Sequence, residues 1–501
     1  MAERYDLLIR AALVYDGTGA APAMADVAVE GARIAVLGDA GGARAETEID
    51  AGGLALAPGF IDVHTHDDFA ALSHADMAFK TRGGVTSCIV GNCGFGAAPF
   101  AAAMELGGDL LALAGLEPYD GHAGYAEALE TRGIGANIGV LAGHGTFRMA
   151  AMGRADRPPE AAEMAAMKAS LREALDAGVL GLSSGLIYEP GRNAETEELI
   201  ELAAEMRGSG ALYATHMRDE STGLLDSVNE AIAIGAGAGV PVQISHHKAA
   251  GRAAWGLVSQ SLALIEAAQG RGENVHADQY PYTAGSTMLR AVLQNGAFAE
   301  TTDGDAGIAS ARPSDVVIAS APGHPEWEGA SIEVLSAQLA LPPRAAAEQV
   351  EAEAPGTSVI LHMMSEDDVR TVMRHPSTMI GSDGIPTLDG KPHPRLYNTF
   401  ARVLGHYARD QGLMTMETAV HRMTGMAADK FGLRDRGYVR EGAFADLVLF
   451  DPAVVIDKGT FEDPNRYPAG IVHVFVNGGQ VVRDGAVTDA RPGQVLRRQS
   501  G

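Results

Sequence analysis

The central part of the chain alternates between short apolar segments and alanine-rich segments with helical spacing. Helical stretches such as residues 158–178 and 194–210 lie between nine short segments that have the composition of buried strands. This alternation predicts parallel strands joined by crossover helices. Eight strand–helix units of about 30–40 residues close a (β/α)8 barrel. The nine strand candidates are residues 59–66, 85–93, 136–145, 178–186, 211–217, 240–248, 274–282, 358–364 and 378–384.

Nine candidates are one more than an eight-stranded barrel requires. Residues 285–357 break the alternation, so we predict an insertion there and place the segment SVILHMM (358–364) outside the barrel. Both ends of the chain differ from the centre. They contain short alternating segments separated by glycine-containing turns, which predicts further strands at each end.

Charge and composition exclude several classes of partner. Lys and Arg number 38 against 64 Asp and Glu, which gives a net charge of −26. Nucleic-acid phosphates would repel such a chain. The start of the chain lacks a signal-peptide apolar region, and no apolar run is long enough to span a bilayer. The only two cysteines, Cys88 and Cys93, imply no disulfide framework. We therefore expect a cytoplasmic protein that binds neither nucleic acid nor membrane.

Several predicted strands end in a side chain that can bind a metal ion. Because side chains alternate along a strand, the two histidines of the HTH segment point to the same face. The carboxyl ends of all strands meet at one mouth of a (β/α)8 barrel. Six ligands there are enough for two divalent ions, and imidazole, thiolate and carboxylate together suit zinc. The six residues are His64, His66, Cys93, His216, His246 and Asp383.

Each of these residues has a simpler interpretation when taken alone. A buried histidine is more often a hydrogen-bonded core residue, and a cysteine on an apolar strand is usually a buried hydrophobe. Recurrence at successive strand ends favours a common site. Cys88 is on the opposite strand face from Cys93, so we predict that it only packs. The GLSSG segment (181–185) matches the serine-hydrolase nucleophile elbow, but a loop follows it where that motif needs a helix.

Motifs along nearly the whole chain resemble one family. They occur in the order PGFIDVHTHDD, IVGNCGFG, AGHGTFR, GLSSGLIYEPG, THMRDE, ISHHK, QYPYTAGST and IGSDG, and GAFADLVLFDP and VFVNGGQVVRDG follow. The chain resembles the amidohydrolase superfamily and, within it, the N-acyl-D-amino-acid deacylase (D-aminoacylase) family. This resemblance implies an α/β fold, in which a TIM-like barrel carries a small β-sandwich domain built from both termini. The implied division is 1–57, then 58–425 with an insertion at about 285–357, then 426–501.

The resemblance also implies a ligand set. It places His64, His66 and Asp383 around one metal and three further residues around the other. The ligands of the other site are Cys93, His216 and His246. One of the two sites is expected to bind zinc much more tightly, so the resemblance implies one tightly bound zinc ion and room for a second. Hydantoinase-like relatives instead bridge their metals with a carboxylated lysine. Between His66 and His216 this chain has only Lys80 and Lys168, both in helix-like segments.

The predicted reaction is the hydrolysis of the amide bond of an N-acyl-D-amino acid, giving a carboxylate and a free D-amino acid. Zinc would activate water and polarise the carbonyl, and Asp383 would act as general base and then as general acid. The resemblance gives Lys248, Tyr280, Ser286 and Arg395 the role of holding this small-molecule substrate. Arg395 lies in KPHPRLYNTF, which we interpret as a loop that closes over the mouth.

Other functions stay open from the sequence alone. A related dipeptidase would cleave X-D-Xaa dipeptides, a cyclic-amide hydrolase would share the fold, and a non-catalytic scaffold is the least favoured alternative. Arg290 would suit an acidic D-amino acid, whereas Met288 and Leu289 would suit an apolar one. The sequence leaves the oligomeric state open.

Overall fold

The strands near the two ends of the chain form a single sheet. A computed structural model describes residues 4–107, 116–299 and 307–498. The nine strands of the sheet are β1 (Arg4–Val14), β2 (Ala23–Glu30), β3 (Arg33–Gly38), β4 (Arg44–Asp50), β5 (Ala55–Pro58), β17 (Leu447–Phe450), β18 (Ile471–Val476), β19 (Gly479–Arg483) and β20 (Ala486–Val487). Strands β5 and β17 pair antiparallel, with Leu56 opposite Leu449, and this pair joins the two ends of the chain. One apolar core contains Ile9, Val27 and Leu449.

Eight parallel strands form a nearly closed barrel, which confirms the predicted TIM-like fold. They are β6 (Phe60–Asp62), β7 (Val85–Val90), β8 (Asn137–Gly143), β9 (Gly181–Gly185), β10 (Leu212–His216), β11 (Val242–Ile244), β12 (Val275–Gln279) and β16 (Thr378–Ile380). Each strand pairs with the next along the chain, except that β12 pairs directly with β16. A backbone bridge between Thr65 and Gly384 connects the ends of the first and last barrel strands.

The segment that we placed outside the barrel lies outside it. Strand β15 (Ser358–Leu361) belongs to a separate three-stranded sheet with β13 (Gly285–Met288) and β14 (Val316–Ser320). Side chains of this region, including Val292 and Leu335, form their own apolar cluster. Part of the predicted insertion, 300–306, lies outside the described residues, and the domain boundaries stay a prediction.

Helices lie between the barrel strands and within the insertion. They are α1 (Ala70–Ser73), α2 (Ala78–Thr81), α3 (Phe100–Gly107), α4 (Gly121–Arg132), α5 (His144–Met152), α6 (Ala161–Ala177), α7 (Thr196–Ala203), α8 (Leu224–Ala238), α9 (Val258–Gly270), α10 (Leu289–Gln294), α11 (Ile332–Leu339), α12 (Pro343–Glu353), α13 (Glu366–Arg374), α14 (Arg395–Arg402), α15 (Met416–Met423) and α16 (Gly425–Phe431), and a π-helix over Val403–Asp410 continues α14. Local signals explain α6: a capping box between Glu160 and Glu163 begins it, and left-handed Gly178 ends it. Among the described helices, none has both the length and the apolar character needed to cross a membrane.

Helix α16 covers one end of the barrel. Its Phe431 belongs to the same apolar cluster as Ile61 and Leu141 of the barrel strands. The Lys430 ammonium donates hydrogen bonds to the carbonyl oxygens of Val242 and Asn274, where β11 begins and just before β12. The helix therefore covers the amino-terminal ends of the barrel strands, and the opposite end is left for a site.

Candidate metal centre

Cys93 lies between two of the predicted histidine ligands. Its Sγ is 3.4 Å from Nε2 of His64 and 3.5 Å from Nε2 of His246. All three side chains are buried at the carboxyl ends of barrel strands. These three atoms could hold one metal ion.

Asp383 forms a second group with the two histidines of the first barrel strand. Its Oδ1 lies 3.2 Å from Nε2 of His66 and 3.5 Å from Nε2 of His64. The two groups share His64, so the six predicted residues include two adjacent positions for an ion. The structure thus brings His64, His66, Cys93, His246 and Asp383 together as the sequence predicted.

The sixth predicted ligand, His216, stands beside a carboxylate that the sequence reasoning missed. Its Nε2 lies 3.5 Å from Oε2 of Glu220, and the Oε1 of Glu220 lies 3.0 Å from Nδ1 of His246. Glu220 follows β10 in the THMRDE segment. The sequence did show a carboxylate four residues after His216. Because Glu220 lies beyond the end of β10, the strand pattern gave no reason to expect its side chain at the barrel mouth.

The donor set fits zinc. Ligands about 2.0–2.3 Å from a tetrahedral zinc ion lie roughly 3.3–3.8 Å apart, and the measured separations of 3.4 and 3.5 Å around Cys93 match this spacing. Both ring nitrogens of His216 are buried and have no hydrogen-bond partner within the described ranges. Because burying an unpaired ring nitrogen is costly, a cation bound by one nitrogen of His216 would offset part of that cost.

Three of the candidate ligands have a backbone conformation that is rare for their residue types. The φ angles are +55° at Cys93, +36° at His246 and +50° at Asp383. Left-handed conformations cost energy in residues other than glycine and are concentrated at functional sites. Asp383 itself makes the turn after β16. The following Gly384 leaves space for Lys80, because a Cβ there would lie 2.9 Å from the Lys80 Nζ.

Asp278 on β12 contacts two of the candidate histidine ligands. Its Oδ1 lies 3.2 Å from Nδ1 of His64 and accepts the backbone N–H of His246 at 2.8 Å. Its other oxygen accepts a hydrogen bond from Gln243. Burial lowers the pKa of His64, but Cys93 and Asp278 outweigh burial and hold that pKa well above its usual range. Asp278 therefore fixes the orientation of His64 and leaves its Nε2 facing Cys93.

Arg395 lies at the start of a helix and not in a loop, so this part of the sequence interpretation is wrong. Pro394 precedes α14, in which Leu396 and Phe400 are buried, and Arg395 is only 1% exposed. Its Nη2 forms an ion pair with Oδ2 of Asp383 at 2.9 Å. Burial raises the pKa of Asp383, but Arg395 and His246 outweigh it and hold the pKa well below its usual range. Asp383 is therefore ionised, and its Oδ1 faces the histidines.

One cavity opens onto the candidate centre. Its volume is about 1070 Å³, including space open to solvent, and three predicted substrate residues line it: Lys248, Tyr280 and Ser286. The fourth, Arg395, lies with its guanidinium 4.4 Å from the centre of the Tyr280 ring. Tyr188, which the sequence reasoning did not single out, also lines the cavity, and its ring centre lies 4.8 Å from that of His216.

Four other polar residues that could suggest chemistry have structural surroundings instead. Cys88 is fully buried, and burial raises the pKa of its thiol well above the usual range. Ser183 of the GLSSG segment accepts the backbone N–H of Gly94 at 3.0 Å, so its hydroxyl is part of the backbone hydrogen bonding. His144 lies at the end of β8 with Nε2 2.8 Å from Glu198. Arg290 donates to the carbonyl oxygen of Leu106 at 2.9 Å.

Neither lysine of the region between His66 and His216 is a candidate ligand. The Lys80 ammonium is buried and donates to Asp62 at 2.8 Å and to Ser382 at 2.8 Å, next to Asp383. Lys168 pairs with Glu201 on the surface of the barrel helices. The carboxylated lysine of hydantoinase-like centres therefore has no counterpart here.

Replacing Lys80 with methionine is expected to destabilise the fold. The change leaves Asp62 and Asp67 buried without their cation, so we expect a loss of about 3–5 kcal/mol in the free energy of unfolding. Lys168→Met removes only a partly exposed ion pair and is expected to cost less than about 1 kcal/mol. Urea unfolding of both variants checks this, and equal losses for the two would contradict it.

Comparison with known proteins identifies the family. A profile described as "Amidohydrolase family" matches residues 47–326 and 328–482. The chain is 41% identical to a D-aminoacylase of Alcaligenes xylosoxydans xylosoxydans over 99% of this chain and 98% of that protein. It is 39% identical to an N-acyl-D-glutamate deacylase of the same organism, over 100% of this chain and 98% of that protein.

A solved structure extends this similarity to the whole fold. It is the N-acyl-D-glutamate deacylase of Bordetella bronchiseptica complexed with zinc and a phosphonate inhibitor, a mimic of the reaction's tetrahedral intermediate. It superposes with a TM-score of 0.88 at 38% identity, covering 99% of this chain and 100% of that one. The family resemblance inferred from the motifs is thereby confirmed, and the chain belongs to the amidohydrolase family.

Proposed function

We propose that this protein is a zinc-dependent hydrolase of N-acyl-D-amino acids that releases a carboxylate and a free D-amino acid. The observation that carries the proposal is the position of Asp383, held between His66 and Arg395 beside a donor set suited to zinc. The relatives support it, because a D-aminoacylase and an N-acyl-D-glutamate deacylase match the chain along almost its full length.

The proposed ligands divide into two sets. Cys93, His216 and His246 would hold the tightly bound zinc ion, and Asp383 with the two histidines of the HTH segment would hold a second. A zinc ion bound there supplies a Lewis acid that acidifies water and polarises the amide carbonyl. Because Cys93 must stay a free thiolate to bind, we also propose a reducing, cytoplasmic location.

Asp383 would move the proton. When only the tightly bound zinc ion is present, Oδ1 faces the histidines and can take the proton of the attacking water. Arg395 lies against Oδ2 and keeps the carboxylate ionised. The same Oδ1 then delivers the proton to the nitrogen of the departing amine. The aspartate is therefore unchanged after each turnover.

Arg395 would also recognise the substrate carboxylate. Its Nε and Nη1 are buried and have no hydrogen-bond partner in the part of the chain that the structure describes. Tyr280 lies against the guanidinium, and the backbone oxygen of Ser286 is 3.5 Å from its Nη2. The Arg395 guanidinium and the Lys248 ammonium, which lines the cavity, would together bind an α-carboxylate beside the scissile amide.

A substrate panel tests the proposal. N-acetyl-D-methionine and N-acetyl-D-glutamate are compared with their L-enantiomers, with Gly-D-Ala and with a hydantoin. Release of the free amino acid is measured for the linear amides, and ring opening to the N-carbamoyl amino acid is measured for the hydantoin. We expect D-substrates to exceed L-substrates by about 100-fold or more in kcat/KM. With the carboxylate and the amide both fixed, inversion at Cα turns the side chain into the cavity wall. Hydrolysis of L-substrates or hydantoin alone would refute the proposal, and a preference for Gly-D-Ala would indicate the dipeptidase.

A further inference from the structure

Glu220 lies beside a ring nitrogen of each of two proposed zinc ligands. Its Oε1 lies 3.0 Å from Nδ1 of His246, and its Oε2 lies 3.5 Å from Nε2 of His216. The residue is 7% exposed. Its backbone is also fixed, because its carbonyl oxygen accepts the N–H of Ala250 at 2.7 Å, which ties the loop after β10 to the loop after β11.

The two nitrogens of His246 have different neighbours. Nε2 lies 3.5 Å from Cys93 Sγ, in the group that could hold an ion, while Nδ1 faces Glu220. If Glu220 and Nδ1 of His246 bound the same ion, Nε2 of His246 would face away from that ion. Cys93 and His246 could then not share a metal ion. The geometry thus leaves Nε2 for the metal and Nδ1 for the carboxylate.

A second donor near Nδ1 fits this arrangement. The Lys248 ammonium lies 2.8 Å from Nδ1 of His246 and 2.7 Å from Oε1 of Glu220. One nitrogen cannot accept a proton from Lys248 and donate one to Glu220. Once Nε2 binds a metal, the proton of the neutral ring is on Nδ1, so Nδ1 donates to Glu220 and Lys248 keeps Glu220 as its acceptor.

We propose that Glu220 is a positioning residue that orients His216 and His246 from outside the metal site and strengthens their binding of zinc. A carboxylate behind a ligating imidazole fixes its tautomer and raises its basicity. Here the Glu220 carboxylate contacts both imidazole rings and accepts a hydrogen bond from Lys248. The inference rests on the proposed ligand set, but it does not depend on the proposed substrate.

Zinc affinity of the folded protein, measured by competition with a chelator and without substrate, tests this role. Glu220→Gln is expected to raise the Kd for zinc by about 10–100-fold. Glu220→Asp keeps the charge but reaches one ring only, so its Kd should fall between those of the wild type and Glu220→Gln. The absorption spectrum of the Co2+-loaded Glu220→Gln protein at saturating metal should match that of the wild type, because the ligands themselves are unchanged.

A matched control separates this role from the general loss of a buried carboxylate. Glu198 is also buried and lies 2.8 Å from a histidine, His144, that is not a proposed ligand. Glu198→Gln should leave the zinc Kd within about 3-fold of the wild type. The proposal is overturned by an unchanged Kd in Glu220→Gln, by an equal effect of Glu198→Gln, or by an altered Co2+ spectrum, which would make Glu220 a ligand. If Cys93→Ala leaves zinc binding intact, the proposed metal site itself fails.

Discussion

Replacing Asp383 with asparagine is expected to lower kcat by about 10²–10⁴-fold while the fold is retained. Asparagine has nearly the same shape, but its amide cannot accept the proton of the attacking water or return it to the amine. Its oxygen can still lie against the Arg395 guanidinium, so the buried cation keeps a polar neighbour. Steady-state hydrolysis of an N-acetyl-D-amino acid measures the loss.

Helix α14 offers a matched control for this variant. Arg402 on the same helix pairs with Asp457 at 2.7 Å, and neither residue lines the cavity. Asp457→Asn therefore removes an Asp–Arg pair of the same kind, and kcat should stay within about 3-fold of the wild type. Zinc content and melting temperature are measured for both variants. Retention of more than a tenth of kcat by Asp383→Asn would rule out its role as general base.

Removing zinc is expected to abolish hydrolysis, and addition of Zn2+ should restore it. Variants of the two cysteines test whether the zinc requirement depends on Cys93. Cys93→Ala removes a donor atom and should weaken zinc binding by at least about 100-fold, more than the loss of an outer-sphere partner would. Cys88→Ala removes a buried packing group and should lower only stability, by about 1 kcal/mol.

Metal analysis alongside activity decides the outcome. The wild type and Cys88→Ala should contain zinc after dialysis against a weak chelator, whereas Cys93→Ala should not. A metal-free preparation with full activity would overturn the proposed mechanism. Equal zinc loss in both cysteine variants would show that unfolding, and not the missing ligand, caused the effect.

The parts of this structure that the sequence predicts are those governed by periodicity. The barrel follows from strand–helix alternation, and the convergence of His64, Cys93 and His246 follows from the rule that parallel strands end at one mouth. Glu220 and Tyr188 were missed because they lie past the strand ends, where loop conformation decides direction. The left-handed backbone at Asp383 likewise depends on tertiary contacts. The intrinsic preference of aspartate for this conformation is too weak to predict it from the sequence.

The interpretation of residues around Arg395 failed for a different reason. The prolines and charges of KPHPR are typical of a loop, yet Pro394 immediately precedes a helix whose apolar residues pack inside the protein. Pro is well tolerated at helix starts, so the sequence KPHPR is compatible with a loop and with the start of a helix. The difference matters chemically, because a buried helical start holds the guanidinium rigidly against Asp383.

The pairing of β5 with β17 can form only late in the synthesis of the chain. Leu56 emerges from the ribosome nearly 400 residues before its partner Leu449, so the edge of β5 waits unpaired while the whole barrel is made. Such distant contacts slow folding, and an unpaired apolar edge invites association with other chains. A nascent chain cut short before residue 447 would therefore keep this edge of β5 unpaired and open to association with other chains.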